Sequence, residues 1–167
     1  LLGNNGTGKT TLLRMLVSEL EPDSGIIKIG EAVSVGYFSQ EQESLNKDNT
    51  VLEELENTPD LLMGDSARAV LGSFLFTGDD VFKLVSDLSL GERVRLIFAK
   101  LTNQRHELLV LDEPTNHLDI PSREVIEAAL QEFEGAILAV SHDQFFVDSL
   151  GCNRKLQILK GGVEEVS

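Results

Sequence analysis

Gly3-Asn4-Asn5-Gly6-Thr7-Gly8-Lys9-Thr10 satisfies the pattern G-x-x-x-x-G-K-[ST] at every fixed position, and the rest of the chain is read outward from it. Gly3, Gly6 and Gly8 open backbone conformations closed to other residues, so that successive N–H groups converge on one point and cradle phosphate oxygens. Lys9 then reaches the outer phosphates, and the Thr10 hydroxyl is placed to ligate Mg²⁺. After Lys9 the run Thr10-Thr11-Leu12-Leu13-Arg14-Met15-Leu16-Val17 carries its apolar residues at helical spacing. The loop therefore opens a helix, whose N-terminal dipole also favours an anion. A bare glycine-rich turn is the alternative, and three motifs further along argue against it.

The composition limits what such a loop can serve. A chain of 167 residues has room for one domain with a full core, and 41% hydrophobic with 25% charged residues is ordinary for a soluble globular protein. The lone cysteine, Cys152, cannot form an internal disulfide, which suits a reducing cytoplasm. No apolar run approaches the roughly 18 to 20 residues that cross a bilayer, and no signal peptide is recognisable. The formal charge of −14 argues against broad attraction of this chain by itself to phosphate backbones, which needs clustered Lys and Arg, so a nucleic-acid partner would have to meet a local patch or other parts. A phosphate loop normally follows a buried strand, yet only Leu1 and Leu2 precede Gly3 and there is no initiator Met. The expectation is a fragment cut near the end of that strand, without the part that would hold an adenine ring.

Along the chain, Glu21-Pro22-Asp23-Ser24-Gly25 reads as a turn. Ile26-Ile27-Lys28-Ile29 and Val33-Ser34-Val35-Gly36-Tyr37-Phe38 read as strands separated by a turn at Gly30-Glu31, and a polar loop follows from Gln40. Asn49-Thr50 forms a helix cap before Val51-Leu52-Glu53-Glu54-Leu55. Residues 49–88 form a mostly helical insertion, with an apolar face expected through Ala69, Val70, Phe74 and Leu75. Two cations there, Arg68 and Lys83, stand against Glu53, Glu54, Glu56, Asp60, Asp65, Asp79, Asp80 and Asp87, a net −6 that reads as a solvated face.

The clearest amphipathic helix is predicted over 91–102, with Val94, Ile97, Phe98 and Leu101 on its buried side and Arg93, Arg95 and Lys100 on the other. Leu88-Ser89-Leu90-Gly91-Glu92 leads into it, and a Ser hydroxyl with free N–H groups at a helix start is an anion site. Leu108-Leu109-Val110-Leu111 reads as a buried parallel strand that delivers Asp112-Glu113 at its carboxyl end, where open α/β sheets bind ligands. Asp112 would hold Mg²⁺ and Glu113 would polarise an attacking water. A helix is expected over 121–133, closed by Gly135. A second buried strand, Ala136-Ile137-Leu138-Ala139-Val140, then brings Ser141-His142-Asp143 to the same edge. His142 would donate to a γ-phosphate or hold the water, His106 reads as surface, and His117 is placed to meet a partner subunit. The tail, 155–158 and 163–166 about Gly161-Gly162, reads as a hairpin.

Five elements thus occur in the order and rough spacing of an ATP-binding cassette (ABC) domain: residues 3–10, Gln40, residues 89–92, Asp112-Glu113 and His142. Leu111-Asp112-Glu113-Pro114-Thr115-Asn116-His117-Leu118-Asp119 and Val140-Ser141-His142-Asp143-Gln144-Phe145-Phe146 resemble the soluble ABC-F proteins in particular, with Asn116-His117 the discriminating pair. The tract 88–101 is similar to Gram-positive members of the antibiotic-resistance branch. The resemblance implies an α/β P-loop NTPase fold with a mostly parallel core sheet, a core of 1–48 and 103–167, and a helical subdomain over 49–102. It also implies a cytoplasmic chain that is the C-terminal cassette of a two-cassette ATPase acting on the ribosome or its tRNA.

By the same resemblance, Gly3, Asn4, Asn5, Gly6, Thr7, Gly8, Lys9, Thr10, Thr11 and Gln40 would bind ATP, and Thr10, Gln40 and Asp112 would organise Mg²⁺. Glu113 would be the general base and His142 the γ-phosphate sensor. Ser89, Leu90, Gly91 and Glu92, with Asp119, would act across an interface with a second cassette. A single cassette would then bind nucleotide and hydrolyse little. Leu90 departs from the family pattern L-S-G-G-[QE], placing a side chain where a close approach to phosphate is expected and putting the hydrolysis rate at the partner site in question. Two other readings stay open: the ATPase subunit of a membrane transporter, and a degenerate cassette used as a binding module. Gln40 serves equally as a contact to a partner domain.

Overall fold

The structure, a computed structural model, describes residues 1, 6–39, 45–62, 66–159 and 162–166. The chain forms two compact units, one of Leu1–Gln40, Glu107–Pro114 and Gly135–Ser167, the other of Glu41–His106 and Thr115–Glu134.

The first unit is built on a three-stranded parallel sheet, β1 (Val35–Phe38), β2 (Leu108–Asp112) and β3 (Ala136–Val140), with β2 in the middle. The unbroken apolar run of β2 explains its place, since Leu109, Val110 and Leu111 are fully buried and need cover on both faces. Helix α1 (Lys9–Leu16) packs on this sheet through Leu13, which joins Val110 and Val140 in the core. Burying each such side chain is worth about 1.5–3 kcal/mol. Glu107 fixes where the ladder starts: its N–H donates to Ser34 O at 3.0 Å, its carbonyl accepts from Ala136 N at 2.9 Å, and its carboxylate accepts from Ser34 N at 2.6 Å. Because all three strands run the same way, Asp112 pairs with Val140 and the residues after both leave the sheet at one edge. An antiparallel hairpin of β4 (Lys155–Leu159) and β5 (Gly162–Val166) completes the unit, as its alternating sequence predicts.

The second unit is helical: α2 (Val51–Glu56), α3 (Ala67–Ser73), 3₁₀ turns at Gly78–Phe82 and Val85–Asp87, α4 (Leu90–Thr102) and α5 (Ile120–Gln131). Helix α4 buries Val94, Leu96, Ile97, Phe98, Ala99 and Leu101, a wider stripe than one neighbour requires, and it packs against α2, α3 and α5. Thr50 caps α2 through a capping box with Glu53, as the Asn49-Thr50 pair predicts. Buried Glu54 of α2 pairs with Lys100 of α4 and also accepts from Asn49 Nδ2 at 2.8 Å.

Several expectations need correction. Residues 26–29 form no strand: they pair with no other strand among the described residues, and Ile26 is 80% exposed. β-branched residues favour a pleated, half-buried surface, and without a partner edge the preference is not realised. The second expected strand begins at Val35, because Val33 is held in a turn by its bond to Gly30 O. The buried side of α3 runs through Val70, Leu71, Phe74 and Phe76, while Ala69 and Leu75 are exposed. The helix stops at Ser73 and Leu75 takes a left-handed φ of 63°, so the helical period no longer applies there. Strand β3 is only half-buried, and among the described strands it lies at the sheet's edge. Helix α5 starts one residue early, at Ile120, and stops at Gln131 with Glu132 in right-handed geometry, so Gly135 does not close it.

Candidate functional site

The first unit gathers the phosphate-loop helix and the strand-end acids. Gly8 is the N-cap of α1 with φ 90°, and Gly6 has φ 80°, a region that side-chain-bearing residues rarely enter. No side chain among the described residues caps α1, and the first N–H groups of a helix, which have no partner within it, are what an anion site uses. Lys9, the first helical residue, is buried, while Thr10 and Thr11 are exposed on the first turn. Gly3, Asn4, Asn5 and Gln40 lie outside the described residues.

Asp112 ends β2 at 2% exposure, and among the described residues its carboxylate has no hydrogen-bond or ion-pair partner. A buried carboxylate without a partner is costly, and a cation brought by a ligand would relieve it. Among the described residues no cluster of three or more His, Cys, Asp or Glu could cage a metal. The available donors are the hard oxygens of Asp112 and Thr10, which fit Mg²⁺ bound by one or two protein groups together with substrate phosphates.

Glu113 follows with φ 49°, a left-handed backbone for a residue other than glycine, while its N–H continues the ladder to Val140 O at 2.9 Å. This kink is held by the next strand over. His142 Nε2 lies 3.2 Å from Glu113 Oε1, and the His142 main-chain N–H donates to Oε2 at 3.3 Å. His142 is in turn fixed by the start of α6 (Gln144–Ser149), where Asp143 caps the helix and donates its own N–H to Ser141 Oγ at 3.0 Å. The pair couples a carboxylate, 12% exposed at its side chain, to an imidazole 55% exposed, an arrangement that can shuttle a proton to or from a molecule at the sheet edge.

The second unit carries the other set. Ser89 caps α4 through a complete capping box: its Oγ accepts from Glu92 N at 3.3 Å, and Glu92 Oε2 accepts from Ser89 N at 2.8 Å and from Ser89 Oγ at 2.7 Å. The Ser89 hydroxyl holds the Glu92 carboxyl below its ordinary range. The Ser89 hydroxyl, read from the sequence as part of an anion site, bonds Glu92 here. Leu90 is the first residue of α4 and is 48% exposed, and His117 is exposed with φ 62°. Asp119 is the N-cap of α5, its Oδ1 accepting from Ser122 N at 3.1 Å.

Ser122, 2% exposed, and the left-handed φ of Glu113 escape the sequence reading. The D-x-x-S spacing with Pro121 early in α5 is a capping signal that finds the first. Nothing in residue type signals the second, because the kink is set by β3.

The family model described as ABC transporter matches residues 1–116. YdiF of Bacillus subtilis is 48% identical over 165 residues, which cover 99% of this chain and 26% of that protein. The energy-dependent translational throttle protein EttA of Haemophilus influenzae is 42% identical over 154 residues, 90% of this chain and 28% of that protein. Among solved structures, that of the RNase-L Inhibitor superposes with a TM-score of 0.78 at 28% identity, over 93% of this chain and 30% of that one. The chain spans about a quarter of the length of the curated relatives it matches.

Proposed function

The chain belongs to the ABC transporter family, and because the relatives it matches are of the ABC-F type we propose that it is an ATP-binding and ATP-hydrolysing cassette of an ABC-F protein acting on the ribosome, in translation or antibiotic resistance. The observation that carries the hydrolytic part is the carboxyl edge of the sheet. There a buried Asp112, its carboxylate without a partner among the described residues, precedes a kinked Glu113 whose carboxylate is held by His142. The ribosomal part rests on EttA, which is named for translation.

In this reading Lys9 and the N–H groups of residues 3–10 bind the phosphates, with Thr11 beside them. Thr10 and Asp112, with Gln40, hold Mg²⁺, which would neutralise charge on the transferred phosphoryl group. Glu113 accepts a proton from the attacking water and His142 hydrogen-bonds the γ-phosphate. Each Glu113 oxygen in contact with His142 keeps a second lone pair that can take the water's proton, and the exposed imidazole can turn toward a bound γ-phosphate. Residues 89–92 and Asp119 close over nucleotide held by a second cassette, in the same protein or a dimer. The site is cytoplasmic.

The test is ribosome co-sedimentation of the full-length protein carrying Glu113→Gln, with the equivalent acid changed in any other cassette. Removing the base traps the ATP-bound state, so ATP should shift the protein into the ribosome pellet. Protein that stays in the supernatant while still binding ATP would overturn the ribosomal assignment and direct the search to a membrane partner.

A further inference from the structure

Helix α3 ends at Ser73, and beside its end one flank of α5 is left uncovered within the helical unit. Phe74, 3% exposed, lies on one side, and Val125, Ala128 and Ala129 of α5 lie on the other, leaving a groove of about 320 Å³. That is the small end of the range for binding clefts. The two alanines keep it open, since a longer side chain at either position would fill it. Glu124 and Glu132 also line it, and residues 124, 125, 128, 129 and 132 recur at helical spacing on one side of α5. The two acids are therefore about 12 Å apart along the helix, with the apolar side chains between them. Both are exposed, and among the described residues neither carboxylate has a hydrogen-bond or ion-pair partner. Over residues 120–134 the one cation, Arg123, stands against Glu124, Glu127, Glu132 and Glu134. Nothing in this stretch neutralises the ends of the groove.

We propose that this groove is a docking surface for a basic segment of a partner protein, which seats an apolar side chain on the floor and brings a Lys or Arg to each of Glu124 and Glu132. The charge pattern selects the occupant. Phosphate backbones carry the same sign as the two acids and are repelled, so nucleic acid does not fit. A purely apolar segment would cover the floor and leave both carboxylates without counter-charge, whereas a basic one matches floor and ends together, the usual arrangement of an apolar centre with a polar rim. None of these residues belongs to the phosphate loop or to the Asp112–Glu113 edge, so the proposal stands apart from the cassette reading.

Fluorescence anisotropy on the full-length protein tests this, with a short labelled synthetic peptide that carries leucines at its centre and lysines at both ends. The same peptide with glutamine for leucine, and a labelled polyuridine oligonucleotide, serve as comparisons. The parent should bind the leucine peptide more tightly than the glutamine one. Changing Glu124→Gln together with Glu132→Gln should weaken that binding about tenfold, the scale of two exposed ion pairs. Ala128→Trp, which fills the groove from an exposed position, should weaken it by about tenfold or more, the scale of one buried leucine. Glu21→Gln with Glu31→Gln removes the same charge from the other unit and should leave binding within about twofold, because distant exposed charges are screened. Should Ala128→Trp lower the melting temperature, the exposed acid pair carries the comparison. Equal binding of the two peptides, an equal loss in the control pair, or binding that survives the changes at Glu124 and Glu132 would overturn the inference. Oligonucleotide binding that the groove changes abolish would overturn it in favour of nucleic acid.

Discussion

Glu113 and His142 are joined at two points, ring Nε2 to Oε1 at 3.2 Å and main-chain N–H to Oε2 at 3.3 Å, so neither carboxylate oxygen of Glu113 is without a contact. The main-chain bond survives any change of side chain at 142, whereas the ring contact does not. The two parts can therefore be separated by mutation.

His142→Ala should free Oε1 yet remove the donor to the γ-phosphate. Turnover in the full-length protein is expected to fall about 10²-fold, the lower range for a positioned acid–base group, while affinity for a non-hydrolysable ATP analogue changes only a few-fold. Turnover at the parental level would show that the ring is only a cap on Glu113.

The Glu54–Lys100 pair makes a prediction about stability alone. Glu54 is 5% exposed at its side chain and Lys100 18%, so Lys100→Met leaves a buried carboxylate with, among the described residues, only Asn49 to satisfy it. Urea denaturation should show a loss of about 3 kcal/mol, the scale for breaking a buried pair. Adding Glu54→Leu should restore most of it, because no charge is then stranded. A double variant as unstable as the single one would mean the pair is favourable in itself.

The capping box at Ser89 predicts a pH dependence. Glu92 is held below its ordinary range by the Ser89 hydroxyl, so the folded state favours the ionised acid more than the unfolded chain does. That contribution is complete above the unfolded value of about 4.3 and is lost as the pH falls through the lower folded value. Ser89→Ala should cost about 1 kcal/mol at pH 7, as a lost N-cap does, and distinctly less near pH 3 by urea denaturation. An equal cost at both pH values would contradict the assignment.

What the sequence made legible, and what it hid, follows from how local each cause is. The buried run of β2, the stripe on α4 and the cap at Thr50 are consequences of residue type and spacing, and they appear where expected. The strand ends carrying Glu113 and His142 follow from two apolar runs, so their meeting could be anticipated once both strands were taken as parallel. Residues 26–29 misled because β propensity is realised only against a partner edge. The face of α3 misled because a helical period was carried past Ser73 into the left-handed turn at Leu75, which Arg95 clasps by donating to Phe74 O at 2.8 Å. The burial of Ser122 stayed hidden because it depends on packing that no local pattern shows, although the Asp119-x-x-Ser122 spacing signals its main-chain bond to the cap.

The most direct measurement of the hydrolytic claim is ATP turnover by the full-length protein with Glu113→Gln against the parent, any other cassette having its equivalent acid changed in both. The amide keeps the size of the carboxylate and cannot take the proton. Turnover should fall about 10²- to 10⁴-fold, while affinity for ATP stays within about twofold. Unchanged turnover, or a loss that follows weaker ATP binding alone, would contradict Glu113 as the base.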